Sequence, residues 1–336
     1  MKDFAMRLDR RRFVAGLAGT LALPVLPRSA FAAPQRLTVA SLLAEDKPET
    51  QIWRRIGEVV EARLPGRFTF NVVPNAALGG ERQVAEGLRL GSVQASLSTL
   101  ASLSAWSTRT QLFDLPFLFD DAAHLARVTG GPIGAALAEE LRGQGFITPA
   151  FVNYGARHLL SKTPIARPDA LRGIRIRAIQ SPVHTTLWSA YGAAPVAIPI
   201  PETYGALESG VVDAMDLTKS AYAGFRLYEV VPFLTETAHI WAAGVVNFAA
   251  PFWSGLSEEE QTVLTEASVE GARLFDAMIV EDETRAMAEA AAAGGSVVQP
   301  EAMEAWRAGA QTVWTTLADA VGGQAAIDAV RDLADA

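Results

Sequence analysis

The sequence predicts an α/β protein built from two domains. Short apolar segments with period-two alternation are interleaved with segments in which apolar residues recur at helical spacing, and this interleaving is typical of βαβ units with a largely parallel sheet. The same alternation resumes after Gly155. The chain has 336 residues, of which 50% are hydrophobic, so it is long for one core and can bury two.

The first 32 residues are expected to be an export signal and not part of the fold. Three arginines, Arg10 to Arg12, precede an apolar run from Ala15 to Leu26, and Ala30-Phe31-Ala32 provides small residues where a signal peptidase reads them. The arginines are typical of the twin-arginine route. The run has about half of the roughly 20 residues that span a bilayer, so a membrane anchor is the weaker alternative. We expect cleavage near Ala32 and a periplasmic mature protein.

Composition and charge narrow the classes of partner. The chain has no cysteine, which excludes disulfides and a lipidated cysteine anchor, and no later segment is apolar for long enough to insert into a membrane. Removal of the signal, with its six basic and two acidic residues, changes the net charge from −8 to −12. Such an acidic protein is a poor partner for nucleic acid or anionic lipid. A cluster of arginines would be a local exception, suited to an anion.

The first domain is predicted to begin with two βα units and a third strand. Pro74 and Gly79-Gly80 interrupt the pattern before the second helix. The predicted elements are a strand at 37–40, a helix at 52–64, a strand at 68–72, a helix around 84–88 and a strand at 93–97.

The second domain repeats this arrangement. Ile174, Ile176 and Ala178 alternate with Arg175 and Arg177, so a strand is expected with apolar side chains on one face and two guanidinium groups on the other.

Three further elements follow that strand along the chain. Pro201 is expected to begin a helix that ends at Gly210, and a strand at 211–215 follows it. Ser257 and Glu260 form a predicted capping box before a proline-free helical pattern that runs to Gly294-Gly295. Its length of roughly 37 residues corresponds to about 55 Å, so this helix is expected to brace both domains. A short strand at 297–298 and a last helix follow.

Motifs of enzymes and of metal or cofactor sites are missing from the sequence. It contains no G-x-S-x-G, H-E-x-x-H or G-x-x-x-x-G-K-[ST] string and no cysteine nucleophile. The histidines are scattered, without a carboxylate at ligand spacing. We therefore expect no enzyme, no metal and no cofactor, and a periplasmic enzyme with an unrecognised active site stays the alternative.

Arg177 is the main candidate for a ligand contact. It stands at the carboxyl end of its predicted strand, where open α/β sheets place their ligands. A guanidinium there can hold a carboxylate with two parallel hydrogen bonds. A surface salt bridge is the alternative, and spacing alone does not choose between Arg177 and Arg175. His239, beside Trp241, is either a hydrogen-bonded core histidine or a residue on the ligand side of a cleft.

Six short motifs follow one another along the chain. They are L-G-G-E at 78–81, L-R-L-G-S at 88–92, D-L-P-F-L-F at 114–119, G-A-R at 155–157, A-L-R-G-I-R-I-R at 170–177 and E-T-Y-G-A-L-E-S-G-V-V-D at 202–213. In this order they resemble the solute-binding proteins of TRAP (tripartite ATP-independent periplasmic) transporters, and the string D-L-P-F-L-F at Asp114 to Phe119 is the most specific of them.

The resemblance implies a two-lobed periplasmic binding protein with crossing hinge strands, a long helix that spans both lobes, and a ligand enclosed when the lobes close. The implied lobe I comprises residues 33–154 plus about 243–282, and lobe II comprises 155–242 plus about 283–336. The implied function is capture of a small organic carboxylate and its delivery to the small and large membrane subunits of a TRAP transporter. A binding protein of an ABC importer or of a sensor is the alternative.

The resemblance also implies the residues of the ligand site. Arg177 is expected to pair with the ligand carboxylate, Arg157 matches a second arginine of part of the family, and Ser98 matches a first-lobe position that faces the cleft. Asp216 and Leu217 stand where the family often has Q-E-N-P.

Leu217 replaces an asparagine that contacts sialic-acid-type ligands, so a smaller or more apolar carboxylate is expected. Asp216 would repel a second carboxylate unless Arg157 lies beside it, or it could accept a hydrogen bond from a ligand hydroxyl.

Overall fold

A computed structural model of the protein describes residues 34–334. The predicted export signal lies outside the described residues. The strands are β1 (Gln35–Ala40), β2 (Phe68–Val73), β3 (Ala95–Thr99), β4 (Phe146–Ser161), β5 (Arg175–Ala178), β6 (Ala194–Ala197), β7 (Ala214–Thr218), β8 (Phe233–Ala249) and β9 (Ser296–Val298). The helices are α1 (Pro48–Arg63), α2 (Glu81–Leu90), α3 (Ala122–Thr129), α4 (Pro132–Gly143), α5 (Pro182–Ala190), α6 (Ile200–Glu208), α7 (Lys219–Gly224), α8 (Ala250–Trp253), α9 (Glu258–Ala292), α10 (Met303–Leu317) and α11 (Gln324–Arg331).

One sheet runs through both lobes. Its strand order is β2-β1-β3-β8-β4-β7-β5-β6, and β9 pairs with β8. The pairs β1–β2 and β1–β3 in the first lobe and β5–β6 and β5–β7 in the second are parallel. The long strands β4 and β8 pair antiparallel with each other and belong to both lobes. The predicted two-lobed α/β fold with crossing strands is confirmed.

The crossing strand β4 is irregular at the level of the cleft. Its register with β8 shifts between Asn153 and Ala156 and again between Arg157 and Leu159. Gly155 has a φ of +94°, and a Cβ there would lie 2.1 Å from Oε1 of Glu283. Only glycine fits this position without displacing Glu283.

The long helix α9 spans the two lobes as predicted. It has 35 residues and begins with the expected capping box, in which Ser257 Oγ accepts a hydrogen bond from Glu260 N at 3.3 Å and Glu260 Oε2 accepts one from Ser257 N at 2.7 Å. It packs against α1 of the first lobe and α7 of the second. A Cβ at Gly271 would lie 2.7 Å from Ile56, so the glycine lets α9 and α1 approach closely.

Two elements differ from the sequence-based expectation. The strand expected at 211–215 lies at 214–218, because Val211 and Val212 both donate backbone hydrogen bonds to the carbonyl oxygen of Ala206 and extend the turn after α6. Val211 is consequently 51% exposed. The third strand likewise begins two residues later than expected, at Ala95.

The division of the chain into lobes stays a prediction, and its last part needs a correction. Residues 283–336 were expected in lobe II, but α11 lies against α3 of the first lobe. Nε2 of His124 contacts the carbonyl oxygen of Val330 at 2.8 Å, and Nε of Arg127 donates to the carbonyl oxygen of Leu333 at 2.8 Å. Among residues 34–334, no helix is both long and apolar enough to cross a bilayer.

Candidate functional site

A cavity of about 50 Å³ lies between the two lobes, next to the crossing strands. Its lining combines a few polar side chains with an apolar wall, which is the usual make-up of a small-molecule site. The polar lining residues are Glu49, Glu81, Thr99, Tyr154, Arg157, Arg177 and Thr218. The apolar lining residues are Leu42, Ile179, Ile200, Leu217, Ala221, Phe225 and Ala242.

Arg177 is a buried cation without a carboxylate partner among the described residues. The residue is 4% exposed, and its Nε donates to the carbonyl oxygen of Ile198 at 2.8 Å. Burial, together with the like charge of Arg157, lowers the pKa of Arg177 to about 10. A buried charge without a partner is unfavourable, so the guanidinium is suited to receive an anion.

The surface salt bridge that spacing left open belongs to the neighbouring arginine. Arg175 is exposed and donates to Oδ2 of Asp213 through Nη2 at 2.8 Å. Burial therefore distinguishes Arg177, at the carboxyl end of β5, from the exposed Arg175.

Arg157 reaches the same cavity from β4, but its charge is already compensated. Its Nε donates to Oδ2 of Asp216 at 2.5 Å, and its Nη2 donates to the backbone oxygen of Asp216 at 2.8 Å. Burial alone would raise the pKa of Asp216, but the positive charge of Arg157 holds this pKa well below its usual range. Asp216 lies behind Arg157, and it is absent from the cavity lining.

Two histidines complete the buried network around Asp216. Nε2 of His239 lies 3.4 Å and Nδ1 of His184 lies 3.7 Å from Oδ2 of Asp216. Burial lowers the pKa of both rings, that of His184 to about 3, so both are neutral at pH 7. His239 thus lies behind the cavity wall, next to Trp188, with ring centroids 5.2 Å apart.

The other two expected residues take different positions. Leu217, which the resemblance placed at the ligand site, lines the cavity. Ser98 is buried, its Oγ lies 3.0 Å from Oγ of Ser96, and it does not line the cavity. The next residue, Thr99, does line it, because successive side chains of a strand point to opposite faces.

Sequence reasoning missed the carboxylates of the cavity. Oε1 of Glu81 accepts hydrogen bonds from N and Oγ1 of Thr99 at 2.6 and 2.8 Å. Oε1 of Glu49 accepts one from Leu42 N at 2.6 Å, and Tyr154 OH donates to its Oε2 at 3.4 Å. Burial raises the pKa of Glu81, and it raises that of Glu49 to about 7. Both residues lie in the first turn of a helix, where an acid normally indicates only a favourable interaction with the helix dipole.

A second cavity, of about 140 Å³, lies on the outer side of Arg177 and Glu81, which line both spaces together with Ile179 and Ile200. At its edge the lobes touch. A Cβ at Gly80 would lie 3.3 Å from Cδ of Pro201 and 3.5 Å from Cβ of Pro199.

A second contact between the lobes joins Gly224 and Leu43. A Cβ at Gly224 would lie 2.8 Å from Cδ2 of Leu43. The structure therefore shows the lobes closed over the first cavity, of about 50 Å³. We call this the inner cavity and the second one, of about 140 Å³, the outer cavity.

A larger groove of about 620 Å³ lies elsewhere, between Pro116–Leu118, α10 and α11. Its arginines, Arg307 and Arg331, are exposed and lie over the rings of Phe117 and Trp314 at 5.1 and 5.9 Å. The inner cavity is the better site candidate despite its smaller size, because its guanidinium groups are buried. Among the described residues, no group of His, Cys, Asp and Glu is arranged to hold a metal ion.

Comparisons with known proteins agree with this architecture. Residues 39–320 match the profile of the bacterial extracellular solute-binding protein family 7. A solute-binding protein of Verminephrobacter eiseniae is 30% identical over 240 residues, which is 71% of this chain and 72% of the relative. The C4-dicarboxylate-binding periplasmic protein DctP of Shewanella loihica is 27% identical over 298 residues, which is 88% of each chain.

Solved structures share this fold over most of the chain. A TRAP periplasmic solute-binding protein of Shewanella oneidensis with bound succinate has a TM-score of 0.86 and 27% identity, and the match covers 90% of this chain and all 100% of that one. A TRAP protein of Bradyrhizobium with bound galacturonate has a TM-score of 0.85 and 26% identity, with the same coverage. The family consists of substrate-binding transport proteins and not of enzymes. This chain belongs to the bacterial extracellular solute-binding proteins of family 7, which include the solute-binding proteins of TRAP transporters.

Proposed function

We propose that the protein captures a small organic carboxylate between its lobes and delivers it to the small and large membrane subunits of a TRAP transporter. The buried guanidinium of Arg177, which has no acidic partner among the described residues, is the observation that carries the proposal. Relatives of known structure hold succinate or galacturonate, so a carboxylate is a ligand of the right chemistry.

The mechanism follows from the position of Arg177 between the lobes. With the lobes apart, water solvates the guanidinium. Closure removes this water, and a ligand carboxylate then provides the two charge-assisted hydrogen bonds that the protein itself does not provide. A carboxylate therefore has a higher affinity for the closed form than for the open form, and its binding shifts the population toward closure. The closed, loaded form is what the membrane subunits would recognise.

The site assignment is tested with two arginines of one strand. Arg177→Ala should weaken carboxylate binding by about 2–5 kcal/mol, because it removes a buried charged partner. That is a loss of about 30-fold or more. Arg175→Ala, two residues away and exposed, is the matched control and should bind as the wild type does. Native mass spectrometry identifies the carboxylate that co-purifies with the protein. Isothermal titration calorimetry with this carboxylate then measures the affinity of each variant. Unchanged affinity of Arg177→Ala would contradict the assignment.

The transport role and the export of the protein are tested separately. Loaded receptor should drive uptake, without ATP, into vesicles that contain the small and large membrane subunits, and receptor with Arg177→Ala should not.

A chain recovered from the periplasm should begin just after Ala32 if the amino-terminal segment is the cleaved signal that the sequence predicts. A mature protein that retains Arg10 to Arg12 would refute this processing.

A further inference from the structure

The inner cavity has an unusual balance of charge for a site that receives an anion. Two arginines and two glutamates line it, and no lysine or histidine does so among the described residues. Arg157 is compensated by Asp216, which lies behind it with Oδ2 at 2.5 Å from Nε. Arg177 is therefore the one lining cation that no acidic side chain compensates by direct contact. Glu81 and, above its pKa of about 7, Glu49 add negative charge to the same small space.

From this balance we infer that the natural ligand carries a single carboxylate, which Arg177 binds, and a hydrogen-bond donor, hydroxyl or ammonium, which Glu81 accepts. The inference rests on the proposed function and makes it more specific. A second carboxylate on the ligand would place further negative charge beside Glu81 and Glu49, with one uncompensated guanidinium to balance it.

Glu81 is positioned for this contact. Thr99 donates twice to its Oε1, at 2.6 and 2.8 Å, which fixes the carboxylate and leaves Oε2 as an acceptor. Glu81 and Arg177 line the inner and the outer cavity together, so a short ligand can contact both. Burial raises the pKa of Glu81, whereas the hydrogen bonds from Thr99 and the positive charges of Arg177 and Arg157 lower it, so a donor or an ammonium of the ligand would likewise favour the ionised carboxylate.

The apolar wall limits how many donors the ligand carries. Leu42, Leu217 and Phe225 also line the cavity, and an apolar side chain cannot pair with a hydroxyl. A ligand hydroxyl there would lose its water without a replacement. The inner cavity, at about 50 Å³, also admits only a few heavy atoms. The structure thus favours a short chain with one or two donors over a polyhydroxylated sugar acid.

A set of four-carbon acids tests the inference. The probes are butanoate, 2-hydroxybutanoate, 4-hydroxybutanoate, 2-aminobutanoate, 4-aminobutanoate and succinate, titrated at pH 8, above the pKa of about 7 of Glu49. At least one hydroxy or amino acid should bind at least tenfold more tightly than butanoate and than succinate. Preference for an ammonium or for a hydroxyl identifies the donor.

Glu81→Gln provides the decisive comparison, because glutamine keeps an oxygen for Thr99 but carries no charge. The substitution should lower the affinity for an ammonium-bearing ligand at least tenfold and lower that for a hydroxyl-bearing ligand less. The affinity for succinate should rise relative to both. Glu58→Gln, an exposed change in α1 of the same lobe, should change none of these ratios.

Two outcomes would overturn the inference, and they can be told apart. If succinate binds the wild type as tightly as the best hydroxy or amino acid, and Glu81→Gln leaves the ratio unchanged, the donor requirement is wrong but the carboxylate receptor stands. If no acid of the set binds and the co-purified ligand has no carboxylate, the proposed function fails as well. Thermal unfolding of each unliganded variant checks that Glu81→Gln folds.

Discussion

Arg157 and Asp216 form a fully buried ion pair on neighbouring strands of the sheet, with side chains 3% and 0% exposed. The contact of Nε with Oδ2, at 2.5 Å, and that of Nη2 with the backbone oxygen, at 2.8 Å, commit two nitrogens of the guanidinium. Asp216 is thereby a positioning residue that holds Arg157 at the cavity.

Removing one member of this pair should cost more stability than removing both. Asp216→Ala should lower the free energy of unfolding by about 3–5 kcal/mol, because it leaves a buried guanidinium without a counter-charge. The double change Arg157→Met with Asp216→Leu should recover most of this loss. Urea unfolding of the single and double variants measures the difference. If the loss in the double variant equals the sum of the losses of Arg157→Met and Asp216→Leu measured singly, the pair is not coupled.

Neutralising Asp216 without removing it should change specificity. Asp216→Asn leaves Arg157 as a second uncompensated cation at the cavity, so the affinity for succinate should rise relative to that for monocarboxylates. Titration with succinate and 4-hydroxybutanoate gives the ratio. Asp213→Asn, a change in a partly exposed aspartate that pairs with Arg175, is the control and should leave the ratio as it is.

The buried carboxylate of Glu49 should make stability depend on pH. Burial raises its pKa from 4.5 to about 7, so between these values the folded protein binds a proton that the unfolded chain has lost. The stabilising contribution of this proton is complete below pH 4.5 and is lost as the pH rises through about 7. Burial lowers the pKa of His184 and of His158 from 6.5 to about 3, which has the opposite effect. Below pH 6.5 the unfolded chain binds protons on these histidines that the folded protein does not, so they lower the stability as the pH falls.

Comparison with Glu49→Gln isolates that contribution from the other titrating groups. The stability of the wild type minus that of Glu49→Gln should fall from pH 5 to pH 7.5 and level off above about pH 8. Urea unfolding at half-unit steps measures it. A difference that stays constant across this range would contradict the raised pKa.

Closure should be sensitive to the size of the residue at position 80. Gly80→Val puts methyl groups where Pro199 and Pro201 of the second lobe stand, 3.5 and 3.3 Å from the Cβ position. Ligand affinity should fall at least tenfold, while the unliganded protein should be almost as stable as the wild type. Gly205→Ala, where a Cβ meets nothing within 4 Å, is the control. Small-angle scattering should show that ligand no longer compacts the Gly80→Val protein.

Much of the fold could be predicted from the sequence because it depends on local patterns. The period-two strands, the capping box at Ser257 and the proline-free run of α9 are local, and all were found close to their predicted places. The strand at 211–215 was misplaced by three residues because turn hydrogen bonds to Ala206 outweigh the β propensity of two valines.

The site could be predicted only in part, since it is assembled from distant segments. Arg177 was expected at the site because it stands at the carboxyl end of a predicted strand and because it belongs to the ordered motifs that resemble the family. Glu81 was not, because its pairing with Thr99 depends on packing between α2 and β3. The alternation of side chains along β3 was predicted correctly. Which face of β3 points toward the cleft, that of Thr99 or that of Ser98, depends on its pairing with the distant strand β8, and a local sequence pattern does not contain this information.

The place of β8 in the sheet also determines the order in which this chain can fold. In the first lobe β3 pairs with β8, so that Ala95 stands opposite Phe248, and almost the entire second lobe is synthesised between these two residues. The first lobe therefore cannot complete its sheet before the second has been made. Neither lobe should fold when it is expressed alone as a contiguous fragment, and folding should be slow, since its main contacts join distant parts of the chain.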